Sequence, residues 1–249
     1  MQSLVESLAA LALMLVGAGA GAALRRHLPH HLDEHAKDVV RLGAALVATI
    51  TALVLGLMIS SANSFFEAQR AEVRKLAADA ILLDAMLDNY GPSARPVRRI
   101  VRDSRAAIVD QLWRGMEAPS TASPLGENAH ALFNAIVALP VTTPLQRTLQ
   151  DQALASAVRM AQTRITLFEW SRARLPEPIL YLLMFWLTVL FASFSLFTPL
   201  NPTSLWSLVL VALCAAGALF LILDMQRPFT GFMRLSPQAL LAGLPPLPP

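Results

Sequence analysis

The sequence has one cysteine and few charges along its 249 residues. Cys214 by itself permits no intrachain disulfide, no thiolate quartet for a metal and no redox pair, and within a long apolar run it reads as a small packing residue. Charged residues make up 15% of the chain against 55% hydrophobic ones, a balance on the greasy side for a globular domain. Also missing are a nucleophile elbow, a paired-histidine metal motif on a helix, a phosphate loop, any internal repeat and any strand-like alternation. The expectation is therefore a chain that is not an enzyme and that carries neither a metal nor a cofactor.

What is present is apolar clustering. No charged residue occurs between Glu6 and Arg25, between Arg41 and Glu67, or between Glu177 and Asp224. The last gap contains "TPLNPTS" (198–204), whose prolines break a helix, so it reads as two spans and a tight turn. Four membrane helices are expected, over 4–24, 42–64, 179–197 and 205–223, each near the ~20 residues that cross the hydrocarbon layer. A secretory signal would need a basic start, where this chain has Glu6 and no Lys or Arg. "LALMLVGAGAGAALRR" could also be a loose dinucleotide fingerprint through Gly17, Gly19 and Ala22, with Asp38 as the ribose contact. That reading requires further βαβ units, and another uncharged span follows instead. Gly17 and Gly21 are better read as a small-xxx-small face for close helix packing.

Arg70, Arg74 and Lys75 open the segment between the second and third spans, and Arg159, Arg164, Arg172 and Arg174 close it. The turn between the last two spans has no basic residue, so the large segment and both termini are expected in the cytoplasm. Arg25, Arg26, Lys37 and Arg41 in the first loop count against this orientation, diluted by Asp33, Glu34 and Asp38. His27, His31 and His35 in that loop are spaced by four, as metal ligands on a helix would be, with His30 beside them, but Pro29 interrupts the helix. A solvated or pH-responsive loop is the plainer reading.

The cytoplasmic segment is helical by pattern. Phe66, Val73, Leu76, Ala80, Leu83, Leu87 and Tyr90 form the seam of a packed helix, and nothing breaks it from the second span. One uninterrupted helix is expected from the second span to about Tyr90, where "GPSARP" stops it. Further helices carry Val97, Val101, Ile108 and Leu112, run over 126–139, and run over 144–174 with Leu154, Val158, Ala161, Ile165 and Phe168 on one face. The arginines at 95, 98, 99, 102 and 105 read as a solvated basic face, or one that attracts anionic headgroups or permeating anions, in preference to nucleic acid.

The second span carries a stripe: Thr49, Leu53, Gly56, Ser60, Asn63 and Glu67 fall on steps of three and four. Polar groups at membrane depth must face protein or water. Packing within the protomer and the lining of a water-filled path both satisfy that rule. Around an axis, Leu53 and Leu57 would form a constriction and residues 60–64 a polar vestibule.

"LVLGLMISSANSFFEAQ" (53–69) resembles the pore-lining helix of the bestrophin family, and "LDMQRPFTGF" (223–232) is similar to that family's acidic-x-x-Pro-Phe turn. Together they resemble the bestrophin-like group of bacterial membrane proteins, relatives of the bestrophin ion channels. The resemblance implies a homo-oligomer, a pentamer, with a neck at Leu53, Leu57 and Thr49 and pore-lining polar residues Ser60, Asn63, Ser64 and Glu67. In the C-terminal turn, Asp224 would mark the membrane exit, Pro228 would end the helix, and Phe229 with Gly231 would turn the chain back onto the cytosolic helices. The chain departs from the family at a leucine neck and in "TGFMRLSP", which offers no carboxylate for calcium. Calcium gating through this segment is not expected, and the sign of the permeating small ion stays open.

The expected fold is an all-α membrane protein, with spans one and two at 1–64, a cytosolic helical domain at 65–175, spans three and four at 176–224, and a turn and proline-rich tail at 225–249. The expected location is the bacterial inner membrane, multi-pass. The alternative function is a non-conducting scaffold, anchored in the membrane and acting in interaction or signalling through its cytosolic helices.

Overall fold

Hydrocarbon offers no partner to a backbone N–H or C=O, so an uncharged run of ~20 apolar residues satisfies itself as a helix. The computed structural model describes residues 2–27, 34–110, 113, 127–172, 177–197 and 201–241, and among these there is no strand. In chain order the helices are α1 (Gln2–His27), α2 (Glu34–Tyr90), α3 (Arg95–Val109), α4 (Glu127–Val137), α5 (Pro144–Arg172), α6 (Glu177–Phe197), α7 (Pro202–Met225) and the short α8 (Gln238–Leu241). Four of them, α1, α2, α6 and α7, are long and apolar enough to cross a membrane.

The continuous second helix is as expected at its far end and longer at its start. It has 57 residues, about 86 Å at 1.5 Å each, and begins at Glu34, ahead of the apolar run. Gly91, at φ 107°, and a 3₁₀ turn at Pro92–Ala94 stop it. The positive φ favours glycine, which explains a stop directly after Tyr90. The linker at 118–126 and the proline-rich end of the tail lie outside the described residues.

The chain divides into two compact units. The first comprises Met1–Phe65, Arg174–Arg227 and Gly231–Met233. Its core joins Met14 and Ala18 of α1, Leu187 and Phe191 of α6 and Leu219 of α7, with Val54, Leu55 and Met58 of α2 packed against it. Gly17 and Gly21 lie inside α1, not in a strand-to-helix turn, which removes the dinucleotide reading. A Cβ on Gly17 would stand 2.6 Å from the Thr188 carbonyl oxygen, and one on Gly21 would stand 2.0 Å from that of Ala192. The paired numbers rise together, so α1 and α6 run in the same direction, backbone against backbone.

The second unit comprises Phe66–Ala173, Pro228–Thr230 and Arg234–Pro249. The expected seam is buried throughout: Val73, Leu76, Ala80, Leu83, Leu87 and Tyr90 all lie inside. Val97, Val101 and Ile108 are buried as well, whereas Leu112 falls outside the described residues. The face expected for α5 is off by one position. Ala153, Ala157, Met160, Arg164 and Leu167 are buried, while Val158 is 41% exposed. Small alanines allow close approach and Arg164 goes in with them, so the bulkiest residues do not mark the packed face.

The basic run on α3 is also not a uniformly solvated face. Arg98 is buried and donates to both oxygens of buried Asp84, from Nε at 3.0 Å and from an Nη at 2.8 Å, and it pairs with Asp88 as well. The hydrogen bond to Asp84 is the main reason its pKa is raised above the ordinary arginine value. Arg105 is buried too, and burial pushes its pKa down. Arg95 and Arg99 remain exposed. Elsewhere in this unit the Gln150 amide donates to the carbonyls of Ile136 and Val137 at 2.8 and 3.1 Å, capping α4, and the Tyr90 hydroxyl donates to the Pro140 carbonyl at 3.0 Å.

Asp84→Ala leaves the Arg98 cation buried without its two-pronged partner, and a loss of about 3–5 kcal/mol is expected. Thermal unfolding of purified protein in detergent measures it, and a midpoint equal to wild type would show that Arg98 repairs itself with Asp88 alone. Gly21→Leu forces α1 away from α6. The expected cost is at least the ~1–3 kcal/mol of an overpacked core, read as a lower midpoint in the same assay.

Candidate functional site

A helix advances 100° per residue, so residues 18 apart stand on one line after five turns. Thr49 and Glu67 are such a pair. Leu53, Gly56, Leu57, Ser60, Asn63 and Ser64 fall within an arc of about 120° around that line, and all of them are exposed in the chain. The expected neck residues Leu53 and Leu57 are 75% and 71% exposed. A Cβ on Gly56 would meet nothing within 4 Å. The opposite side of the same helix is the packed one, with buried Thr51 and Ala62 beside Val54, Leu55 and Met58.

Among the described residues the stripe therefore does not serve packing. Only 6% of the apolar part of α2 is buried, against 28%, 28% and 33% for α1, α6 and α7. Thr49 and Thr51 return their hydroxyl protons to their own helix, at the carbonyls of Ala45 (2.9 Å) and Val47 (2.7 Å). Glu67 is held by Arg70 at 3.3 Å, one turn on. Thr51, buried and bonded to its own backbone, was not among the expected site residues. Its spacing separates it from Thr49: two residues on, it stands about 200° around the helix, on the packed side.

At the C-terminal turn, Asp224 does more than end the uncharged run. It is 1% exposed, and its carboxylate accepts the backbone N–H groups of Phe232 and Met233, both at 2.9 Å, and the Ser3 hydroxyl at 3.3 Å. Arg227 reaches Glu6 of α1 at 3.2 Å. The helix ends at Met225, ahead of Pro228, and Gly231 donates its N–H to the Arg227 carbonyl at 2.8 Å. A Cβ on Gly231 would stand 2.8 Å from Asp224 Oδ1 and 2.9 Å from the Arg227 carbonyl oxygen. Glycine is required here by space alone. In the second unit, Phe229 is buried edge-on against Trp113, with ring centroids 4.9 Å apart at 74°. Trp113 Nε1 donates to the Leu235 carbonyl at 2.7 Å, and the Leu235 N–H closes back on Pro228 at 2.7 Å.

Among the described residues no group of three or more His, Cys, Asp or Glu side chains is placed to hold a metal ion. His27 ends α1 and His35 belongs to α2, so those two do not share one helix, and His30 and His31 fall outside the described residues. Between α6 and α7 an open groove of about 410 Å³ is lined by Phe191, Phe194 and Leu208 on one side of its chemistry and by Thr203, Ser204 and Ser207 on the other.

Substituting Gly231 by alanine puts a methyl group into the Asp224 carboxylate. A loss of about 1–3 kcal/mol is expected, the usual cost of forcing an extra carbon into a packed site. An unfolding midpoint unchanged from wild type would mean that the turn yields without releasing Asp224.

The family model of the bestrophin-like domain matches residues 11–240. Among solved structures, the chain is similar to a mutant of a bacterial bestrophin homolog from Klebsiella pneumoniae, with a TM-score of 0.65 at 15% identity, over 97% of this chain and 95% of that one. Comparison with curated proteins gives no match.

Proposed function

The chain belongs to the bestrophin-like family, and from that premise we propose that it is an oligomeric ion channel whose path is lined by α2. A multi-pass membrane protein follows from the family and the four long apolar helices together. In this reading α1, the first part of α2, α6 and α7 cross the bacterial inner membrane. The helices of 65–175 lie in the cytoplasm with both termini, and residues 225–249 form the turn and tail on the same side.

One observation carries the reading. The polar stripe of α2 points away from the chain's own core, on a helix whose apolar part is almost wholly uncovered. Hydrocarbon is a poor place for Ser60, Asn63 and Ser64, since each amide or hydroxyl without a partner there costs several kcal/mol. Copies of α2 set around an axis, five by analogy with the family, would give these groups water and one another. Leu53 and Leu57, with Thr49 a turn earlier, would then narrow the path and block it by dewetting. The C-terminal turn supports a structural role for Asp224, whose oxygens accept hydrogen bonds from the Phe232 and Met233 N–H groups and the Ser3 hydroxyl.

The test is ion flux from purified protein in liposomes, wild type beside Leu53→Ala/Leu57→Ala, at matched oligomeric state. A rise on the order of tenfold in the double variant is expected, the effect of about 1.4 kcal/mol off the barrier. Silence from both, in an intact oligomer, would favour a membrane scaffold acting through its cytosolic helices. A monomer or dimer would sink the channel, because so few copies of one helix cannot enclose a path.

A further inference from the structure

The exposed line on α2 continues past its last uncharged residue. Arg74, seven residues after Glu67, falls within about 20° of it on the helix, and Arg70 stands about 60° to one side. Glu67 is the one acidic residue on the line from Thr49 to Arg74, and by itself it would suggest a cation site. Its carboxylate is instead held by the Arg70 guanidinium at 3.3 Å, both groups being about half exposed. The other nearby acid, Glu72, is paired with Lys75 at 3.5 Å and lies about 140° around the helix. Arg74 is exposed and has no ion pair or hydrogen bond among the described residues.

The bookkeeping of this line is then simple. Glu67 and Arg70 cancel, and Arg74 leaves one positive charge per chain where the apolar run ends. We propose that Arg74 sets the charge preference of the path in favour of small anions, with Arg70 serving to neutralise Glu67 so that it does not hold cations. The inference rests on α2 lining a conducting path. Repeated around an axis, the same charge from every copy adds its field at the centre, and a narrow passage between low-dielectric walls concentrates that field.

The experiment uses the full chain with the neck trimmed, Leu53→Ala/Leu57→Ala, in vesicles across a potassium chloride gradient, and reads the reversal potential. It is repeated with Arg74→Glu and with Arg70→Gln added, each checked for an unchanged oligomer. The parent is expected to reverse on the chloride side. Arg74→Glu is expected to lower the chloride-to-potassium permeability ratio by about threefold or more, the weight of a unit charge a few ångströms from an ion in water. Arg70→Gln, which uncovers Glu67, is expected to shift it in the same direction. A conducting protein that reverses on the potassium side, or whose ratio ignores Arg74→Glu, overturns the assignment and leaves the channel standing. Flux no greater than that of empty vesicles from the parent and both variants removes the channel reading, and the role of Arg74 with it.

Discussion

A polar group in hydrocarbon must bring its own partner, and most of this structure can be derived from that constraint. It makes the four uncharged runs helical. The hydroxyls of Thr49 and Thr51 meet it by donating to their own helix, at the carbonyls of Ala45 and Val47. It also brings the end of α7 to a carboxylate that satisfies two backbone N–H groups at once. The place where the constraint is left open is the stripe of α2. Among the described residues Ser60, Asn63 and Ser64 stay exposed, on the side of the helix away from the core.

Close packing supplies what hydrophobicity cannot. Between apolar helices in an apolar solvent there is no hydrophobic drive to associate, and contact surface has to do the work. Gly17 and Gly21 remove the side chains that would hold α1 away from Thr188 and Ala192. The gain is dispersion between backbones over about one turn. Small residues also line the buried side of α5, where alanines at 153 and 157 lie inside and the larger Val158 does not. Outside the apolar helices the chain uses a different device, a buried ion pair. Arg98 and Asp84 meet through two hydrogen bonds, which join α3 to α2 in one geometry.

Much of this was legible in the residues. Long charge gaps reveal membrane-length helices because charge is what hydrocarbon excludes most strongly. The seam from Val73 to Tyr90 was legible because seven-residue periodicity in apolar side chains has one helical meaning. The small-xxx-small reading of Gly17 and Gly21 held because residues four apart share one helix face. Other expectations failed where residue type misleads. Arginines spaced along α3 looked solvated, and two of them are core, since a buried carboxylate on a neighbouring helix cannot be seen from α3 alone. The face of α5 was misplaced because apolar bulk was used as the guide to burial, and this helix buries small residues and an arginine.

By itself, the sequence determined which segments are helices, which of them can live in hydrocarbon, and that polar residues of α2 share one line; each of these depends only on neighbours within a few turns. Only the tertiary structure decided which way that line faces. It points opposite to Val54, Leu55 and Met58 because the core made by α1, α6 and α7 takes the other side of the helix. Likewise, "DMQRPFTG" spelled a turn, but the need for glycine at 231 comes from a carboxylate oxygen 2.8 Å from where a Cβ would be, with Ser3 from the far end of the chain bonded to that same oxygen. Periodicity is a property of one helix. Direction and close approach are properties of several helices together, and they exist only once those helices have met.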